Sequence, residues 1–344
     1  MNDRALSLLE QYDIEVLRTR KGRGTFVCET KNGSLCFREY EGNPQKLKNQ
    51  QKILMRIKEL GLIKSEELIC NREGQLFVQD ADGVRYILKT YAEGNECNIY
   101  DSRECVEAVQ LLARLHHCMD GIVFDAQESI EESESVRWEM KSCSPMQEYE
   151  KHNRELLRVR SYLKRKGQKQ FFERRLLGVM DYFIAQGQTV SDSWRTAVGN
   201  FYQEWELIQR ECFCHGDYQY HNILKTSIGW QIVNFEKFQL DNPVRDLYHF
   251  MRKVMEKNNW AVNQGREILE AYEAIRSLDE YSKLDLYHRF AYPEKFWKIA
   301  NFYYNSPKAW IPEKNLEKLE KVVSQEKMKE KFLKEVLGGG PGKV

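Results

Sequence analysis

A chain of 344 residues with 42% apolar content is long enough for two domains or lobes with sizeable cores. Its 53 basic and 52 acidic residues nearly cancel, so no global field attracts nucleic acid or an anionic membrane, and a nucleic-acid partner is not expected. Nine cysteines are scattered without C-x-x-C spacing, which argues against a disulfide framework or zinc ribbon and for reduced thiols. Asp3 and Arg4 interrupt the start and no long apolar stretch follows, so neither a signal peptide nor a membrane span is expected.

In chain order, Gly22-Arg23-Gly24 comes first and has two readings: backbone amides that cover phosphates, or an ordinary turn. Thr25 to Glu29 and Leu35 to Tyr40 then flank Lys31-Asn32-Gly33, and Asn-Gly predicts a hairpin with a type I′ turn. Asn43, Pro44, the spacing of Leu47, Leu54, Ile57 and Leu60, and Gly61 predict a capped helix. Gln75 to Gln79 and Val84 to Lys89 flank Asp82-Gly83 as a second hairpin. After Tyr91-Ala92-Glu93-Gly94 the pattern becomes helical. Asp101 and Glu104 predict a capping box, with Val109, Leu112, Ala113 and His116 on one face, and Ser144-Pro145 opens another helix. Further helical runs cover 169–187, 191–210, 244–257, 263–277 and 312–335. Cys212 to Asp217, Ile223 to Lys225 and Gln231 to Phe235 read as brief strands among them.

These elements predict an α+β chain with a small β-rich N-terminal lobe over 1–91, a larger helical lobe over 92–337 and a flexible tail over 338–344. Trp194, Trp205, Trp230, Trp260, Trp297 and Trp310 read mainly as core. Trp297, Tyr303, Tyr304 and Trp310 also suit a pocket or docking surface. His116 and His117 read as core or inter-lobe groups, and Asp246 as a helix cap that also accepts hydrogen bonds from a loop.

The strongest chemical signal is His215-Gly216-Asp217-Tyr218-Gln219-Tyr220-His221-Asn222, followed by Asn234-Phe235-Glu236. Phosphoryl transfer needs a carboxylate near the acceptor hydroxyl, an amide oxygen on a metal, and a second carboxylate bridging metal to phosphates. An Asp and an Asn five apart can span one loop, with a hairpin bringing the last group alongside.

H-G-D-x-x-x-x-N resembles the catalytic loop of the aminoglycoside phosphotransferase and choline kinase group, within the bilobal protein-kinase-like fold. Leu112-Ala113-Arg114-Leu115-His116 is similar to that group's L-A-x-L-H helix. Asn242-Pro243-Val244-Arg245-Asp246-Leu247 and Tyr292-Pro293-Glu294-Lys295-Phe296 resemble the CotS-type spore-coat proteins. The resemblance covers roughly residues 10 to 335. It implies Asp217 as catalytic base, with His215 beside it, and Asn222 as a metal ligand. Leu88 and Thr90 fall in an inter-lobe hinge that meets adenine, and Gly22 and Gly24 in the phosphate-covering turn. Two positions depart from the pattern: Arg38 stands for the phosphate-anchoring lysine and Asn234 for the metal-binding aspartate. An asparagine offers magnesium a dipole in place of a full charge, and loss of one such contact costs about 10²-fold or more in rate. Glu236 can supply the missing carboxylate if the backbone stays extended, because residues i and i+2 of a strand share a face.

The resemblance therefore implies a near-inactive kinase homologue serving as a structural or interaction component of the spore coat. Its partners are then other coat proteins, and its synthesis is in the mother-cell cytoplasm. The alternatives are an ATP- and magnesium-dependent phosphotransferase acting on a small hydroxyl or amino compound, with Asp217 as base, and a nucleotide sensor without turnover.

Overall fold

The computed structural model describes residues 3–22, 24–122, 144–201, 212–305 and 312–339. Trp205, Trp310, the end of the 191–210 run and the last five residues lie outside them. Two compact units are present. One takes in the described residues of Met1–Lys141, Gln209–Phe250 and Ala271–Arg276; the other those of Ser142–Ile208, Met251–Glu270 and Ser277–Val344.

The first unit begins with a 3-10 helix, Asp3–Gln11, then β1 (Val16–Gly22), β2 (Thr25–Thr30) and β3 (Gly33–Glu39). The β2–β3 hairpin forms where Asn-Gly predicts it, but its turn differs. Thr30 pairs with Gly33, leaving Lys31 and Asn32 at the tip, and neither has positive φ; only Gly33 does, at 117°. The Thr30 hydroxyl closes this turn, accepting from Asn32 N and donating to Gly33 O.

Helix α1 (Pro44–Leu60) has the expected punctuation: Asn43 accepts from Gln45 N, Pro44 opens the first turn, and Gly61 ends the helix at φ 63°. Short strands β4 (Lys64–Ser65), β5 (Leu68–Ile69) and β6 (Val78–Gln79) lead to β7 (Arg85–Thr90) and β8 (Gly94–Glu96). The main sheet runs β1-β2-β3-β7-β5, with β6 also on β7. One face buries Phe26, Phe37, Tyr86 and Leu88 against Ala5, Leu9 and Tyr12 of the N-terminal segment. By strand alternation the other face carries Cys36 and Arg38 of β3 and Lys89 of β7, and the register sets Cys36 opposite Lys89.

Helix α2 (Ser102–Met119) is capped by Asp101, which accepts from the amides of Arg103 and Glu104. Glu104 does not complete a capping box; its carboxylate accepts from Asn98 N in the preceding turn. Helices α3 (Pro145–Arg165) and α4 (Phe171–Val198) belong to the second unit, and α4 runs unbroken across the two segments read separately from sequence.

The chain then returns to the first unit as β9 (Phe213–Cys214), β10 (Ile223–Thr226), β11 (Gly229–Ile232) and β12 (Gln239–Leu240). The order β4-β11-β10-β8 ties this segment to the N-terminal region, with Ser65 paired in parallel to Ile232. The strand expected through Phe235 stops early: Asn234 turns left-handed at φ 68°, ψ 60°, and a 3-10 turn, Phe235–Lys237, follows. Helices α5 (Val244–Lys257), α6 (Val262–Glu273), α7 (Glu280–Ala291), α8 (Glu294–Asn305) and α9 (Pro312–Val336) complete the chain. The second unit's core gathers Leu156, Leu176, Phe183, Phe296 and Leu319.

Because Asn43 satisfies an otherwise unpaired amide, Asn43→Ala should lower stability by about 1 kcal/mol in urea unfolding. An unchanged midpoint and slope would show that the cap is dispensable.

Candidate functional site

The site is assembled within the first unit around an ammonium that the sequence reading did not single out. Lys89 is 3% exposed, and its Nζ lies 2.8 Å from Glu66 Oε2, 2.7 Å from Glu236 Oε1 and 3.0 Å from Asn234 Oδ1. An ammonium has three donors and here meets three acceptors, two of them anionic. Burial alone pushes the Lys89 pKa down, but Glu66 and Glu236 outweigh it and hold the value above the ordinary one. For Glu236, burial pushes the pKa up, and Lys89 with Arg38 brings it below the usual carboxylate range.

Glu66, 1% exposed, holds both halves of this arrangement. Besides Lys89 it accepts the backbone amides of Asn234 and Phe235, at 2.8 and 3.1 Å. Those two N–H groups face one carboxylate because the backbone turns left-handed at Asn234, a conformation asparagine tolerates better than most residues. The turn also carries Glu236 to Lys89. The extended-strand route expected for Glu236 is therefore incorrect, since a 3-10 turn and not a strand brings it there.

Asn234 Nδ2 donates to Asn222 Oδ1 at 2.8 Å, and Asn222 Nδ2 donates to the Asp217 carbonyl at 2.8 Å. Lys89 fixes the first amide's orientation, since a flip would set an NH2 against an ammonium. Asp217 Oδ1 accepts from Gln219 Nε2 at 2.7 Å and Oδ2 from Lys237 Nζ at 2.9 Å. Burial pushes the Asp217 pKa up, and the Lys237 contact brings it below its usual range. Arg38 donates to Glu236 Oε1 at 3.3 Å. Arg38, Glu236, Lys89, Asn234, Asn222, Asp217 and Lys237 thus form one continuous polar network.

The remaining residues singled out from sequence lie apart from that network. Leu88 is fully buried on the opposite sheet face, and the Thr90 hydroxyl accepts from Glu67 N. Gly22 ends β1, and Gly24 sits in the β1–β2 turn at φ 68°. His215 is fully buried with both ring nitrogens engaged by backbone: Nδ1 accepts from Asp217 N, which leaves Nε2–H to donate to Val233 O. Its placement makes it a support for the loop. Two signals could have found the missed pair. Lys89 is a lone cation in Tyr-Ile-Leu-Lys-Thr, where the two-residue period puts it opposite Leu88; Glu66 is one of two adjacent acids and carries a weaker signal.

The loop is held from below by Asp246, whose Oδ2 accepts from His215 N at 2.6 Å and Oδ1 from Gly216 N at 3.0 Å. His116 Nε2 also meets Asp246 Oδ2 at 3.3 Å, and its Nδ1 meets the Tyr272 hydroxyl at 2.8 Å. Asp246 is not the helix cap; Asn242 takes that role, accepting from Val244 N. Gly216 needs its φ of 77°, and a Cβ there would sit 2.0 Å from the Lys237 carbonyl oxygen.

A divalent ion needs several hard oxygens free to ligate it. Here Asn222 Oδ1 is taken by Asn234, Asn234 Oδ1 and Glu236 Oε1 by Lys89, and both Asp217 oxygens by Gln219 and Lys237. As arranged, each of these oxygens already accepts a hydrogen bond, and Lys89 places a positive charge beside Asn234 and Glu236, so an ion there would have to displace these contacts.

A mixed α+β chain with this loop and sheet is kinase-like, and comparison with known proteins agrees. The chain belongs to the family described as "Spore coat putative kinase YutH", which it matches over residues 6–336. It is 24% identical over 318 residues to spore coat protein S of Bacillus subtilis (strain 168), covering 91% of this chain and 87% of that protein. Among solved structures it resembles an aminoglycoside phosphotransferase from Alicyclobacillus acidocaldarius, with a TM-score of 0.77 at 17% identity over 94% of this chain and 92% of that one. It also resembles spectinomycin phosphotransferase solved with ADP and spectinomycin, with a TM-score of 0.60 at 13% identity over 95% and 98%.

Removing one partner of a buried ion pair costs about 3–5 kcal/mol because the other charge is stranded. Lys89→Met should lose stability on that scale in chemical denaturation, and a loss under about 1 kcal/mol would mean that Glu66 and Glu236 do not depend on it. The pH dependence has two edges. Glu236, Asp217 and Asp246 are held below their usual values, so their contribution is complete above about pH 4 and drains as pH falls through the folded values. Lys89 is held high, so its contribution is complete below about pH 10 and is lost as pH rises through its folded value. The network's own contribution should therefore be level between those edges, while burial holds the His116, His152 and His288 pKa values low, so that overall melting temperature declines as pH falls below about 6.5; in Lys89→Met the alkaline edge should shrink.

Proposed function

We propose that this chain is a component of the bacterial spore coat that keeps a kinase-like fold but has no working divalent-ion site. Its role is then structural or interactive, its partners are other coat proteins, and it is made in the mother cell. Membership of a spore-coat family and likeness to spore coat protein S support the location. The observation that carries the loss of chemistry is Lys89, whose ammonium holds Glu66, Asn234 and Glu236. Coordinating Mg²⁺ there would strip Glu236 from a buried cation, and the displaced ammonium would face the ion at short range. Both effects oppose binding. A missing metal contact alone costs about 10²-fold in rate, and here an installed positive charge adds to it.

A second reading has a specific observation in its favour. Asp217 is intact, and its Lys237 partner is 68% exposed, so an incoming hydroxyl or amine can displace that exposed pair at little cost. This fits an ATP-dependent phosphotransferase with Asp217 as base. Kinase-like relatives solved with ADP, or with AMP-PNP and calcium, show what a functional site of this fold holds.

Thermal shift with ATP, with and without magnesium, separates the two. The inactive reading predicts that magnesium adds nothing to any nucleotide effect. A working kinase predicts a magnesium-dependent gain of about 2.7 kcal/mol at 100 times the dissociation constant. Phosphate transfer at about 1–100 per second by the wild-type chain would overturn the proposal. The double variant Lys89→Met, Asn234→Asp restores a carboxylate and removes the ammonium, and it should bind Mg²⁺-ATP more tightly than wild type.

A further inference from the structure

A serine and a histidine meet inside the second unit, on α4 and α7, and the kinase-like loop uses neither. Ser193 Oγ lies 3.0 Å from His288 Nε2, where the two helices pack. His288 Nδ1 lies 2.8 Å from the carbonyl oxygen of Leu284, one turn earlier on its own helix. A carbonyl oxygen only accepts, so Nδ1 carries the proton, and in the neutral ring Nε2 is left as an acceptor. His288 is fully buried, and burial holds its pKa below the ordinary 6.5, so the ring is neutral at pH 7. The Ser193 hydroxyl is therefore the donor, and its hydrogen points at a base.

A nucleophile, a base within hydrogen-bond reach and a third group that orients the base are the parts of an activated hydroxyl. Trp194 packs edge-on against the imidazole, with ring centroids 5.2 Å apart, and helps to hold it in place. The charges nearby are matched on each helix: Asp285 pairs with Arg289 on α7, and Asp192 with Arg195 on α4, both at 2.8 Å. Tyr287 also borders the ring, and burial raises its pKa, so it stays neutral. Ser193 is only partly buried whereas His288 is fully so, which sets the nucleophile on the outer side of its base.

From this geometry we infer that Ser193 is an acyl-accepting nucleophile for small activated esters, with His288 as its general base. Ser193 Oγ attacks the ester carbonyl carbon, and its proton passes to His288 Nε2. The ester C–O bond breaks, and the leaving oxygen takes that proton from Nε2 and departs as the alcohol. Water then attacks the acyl-serine, with His288 again as base, which releases the acid and restores the hydroxyl. Base assistance of this kind is worth about 10²–10⁴-fold in rate. The inference does not depend on whether the Lys89 site binds nucleotide.

The test is labelling of the full chain with an alkyl fluorophosphonate, which traps the same nucleophile: an O–P bond forms, the P–F bond breaks and fluoride leaves. Peptide mass spectrometry should place the adduct on Ser193, and Ser193→Ala should remove it. His288→Gln should slow the labelling at least about tenfold. Because His288 is buried, the pH profile of the wild-type chain supplies a second measure that needs no variant. Labelling should be level from about pH 7 to 9 and fall only below about pH 6.5, as Nε2 takes up a proton. An unassisted serine would instead quicken about tenfold per pH unit, through its alkoxide. Absence of an adduct at Ser193, that unassisted rise, or a folded His288→Gln labelled as fast as wild type would each overturn the inference.

Discussion

A positive charge sits inside this protein with nowhere else to go. Lys89 projects from a central strand into a space where water cannot solvate it, and an unpaired ammonium there would cost several kcal/mol. Everything around it is arranged to prevent that. Glu66 meets it from the segment joining β4 to β5, and Glu236 and Asn234 meet it from the turn after β11. The contacts from Asn234 and Glu236 join the N-terminal sheet to the return segment, beside the short β4–β11 pairing, which spans two residue pairs. A buried ion pair of this kind adds little net stability over a well-packed apolar substitute, but it is intolerant of losing either partner. The Asn234 turn meets Lys89, Glu66 and Asn222 at once.

The loop that would do phosphoryl chemistry is nevertheless built in full. Asp246 holds its backbone, His215 braces it from within, and Gly216 supplies the one conformation that clears the Lys237 carbonyl. None of this architecture requires a metal. Asn222 fills the same structural role in either case, because its amide ties the ends of the loop to Asn234. The loop is therefore held by protein groups alone, and it is family membership, not the loop, that links the chain to spore-coat proteins.

Much of this was legible in the sequence, and the exceptions have physical causes. Helix α1 could be read to the residue because its signals are local: Asn43, Pro44 and Gly61 act on their immediate neighbours. The loop from His215 to Asn222 was legible because its spacing is dictated by chemistry. The departure at Asn234 was visible too, as a neutral amide where a carboxylate was expected. Lys89 is not legible from sequence because its role depends on which sheet face looks inward, and alternation puts Leu88 and Thr90 on the other side. Glu66 was missed because its partners lie more than twenty residues away in either case, and no local pattern separates it from Glu67. The left-handed turn at Asn234 is hidden from sequence because Gln-Ile-Val-Asn-Phe has strand character, and the hydrogen bonds to Glu66 where the strand ends are tertiary.

Paramagnetic titration with Mn²⁺ and AMP-PNP addresses the ammonium-for-metal idea most directly, because it counts bound ions irrespective of turnover. If Lys89 holds the acceptors as described, adding the wild-type chain should leave the Mn²⁺ resonance of the nucleotide mixture unchanged. Protein-dependent loss of that signal at one or two ions per chain, abolished by Glu236→Gln, would contradict it.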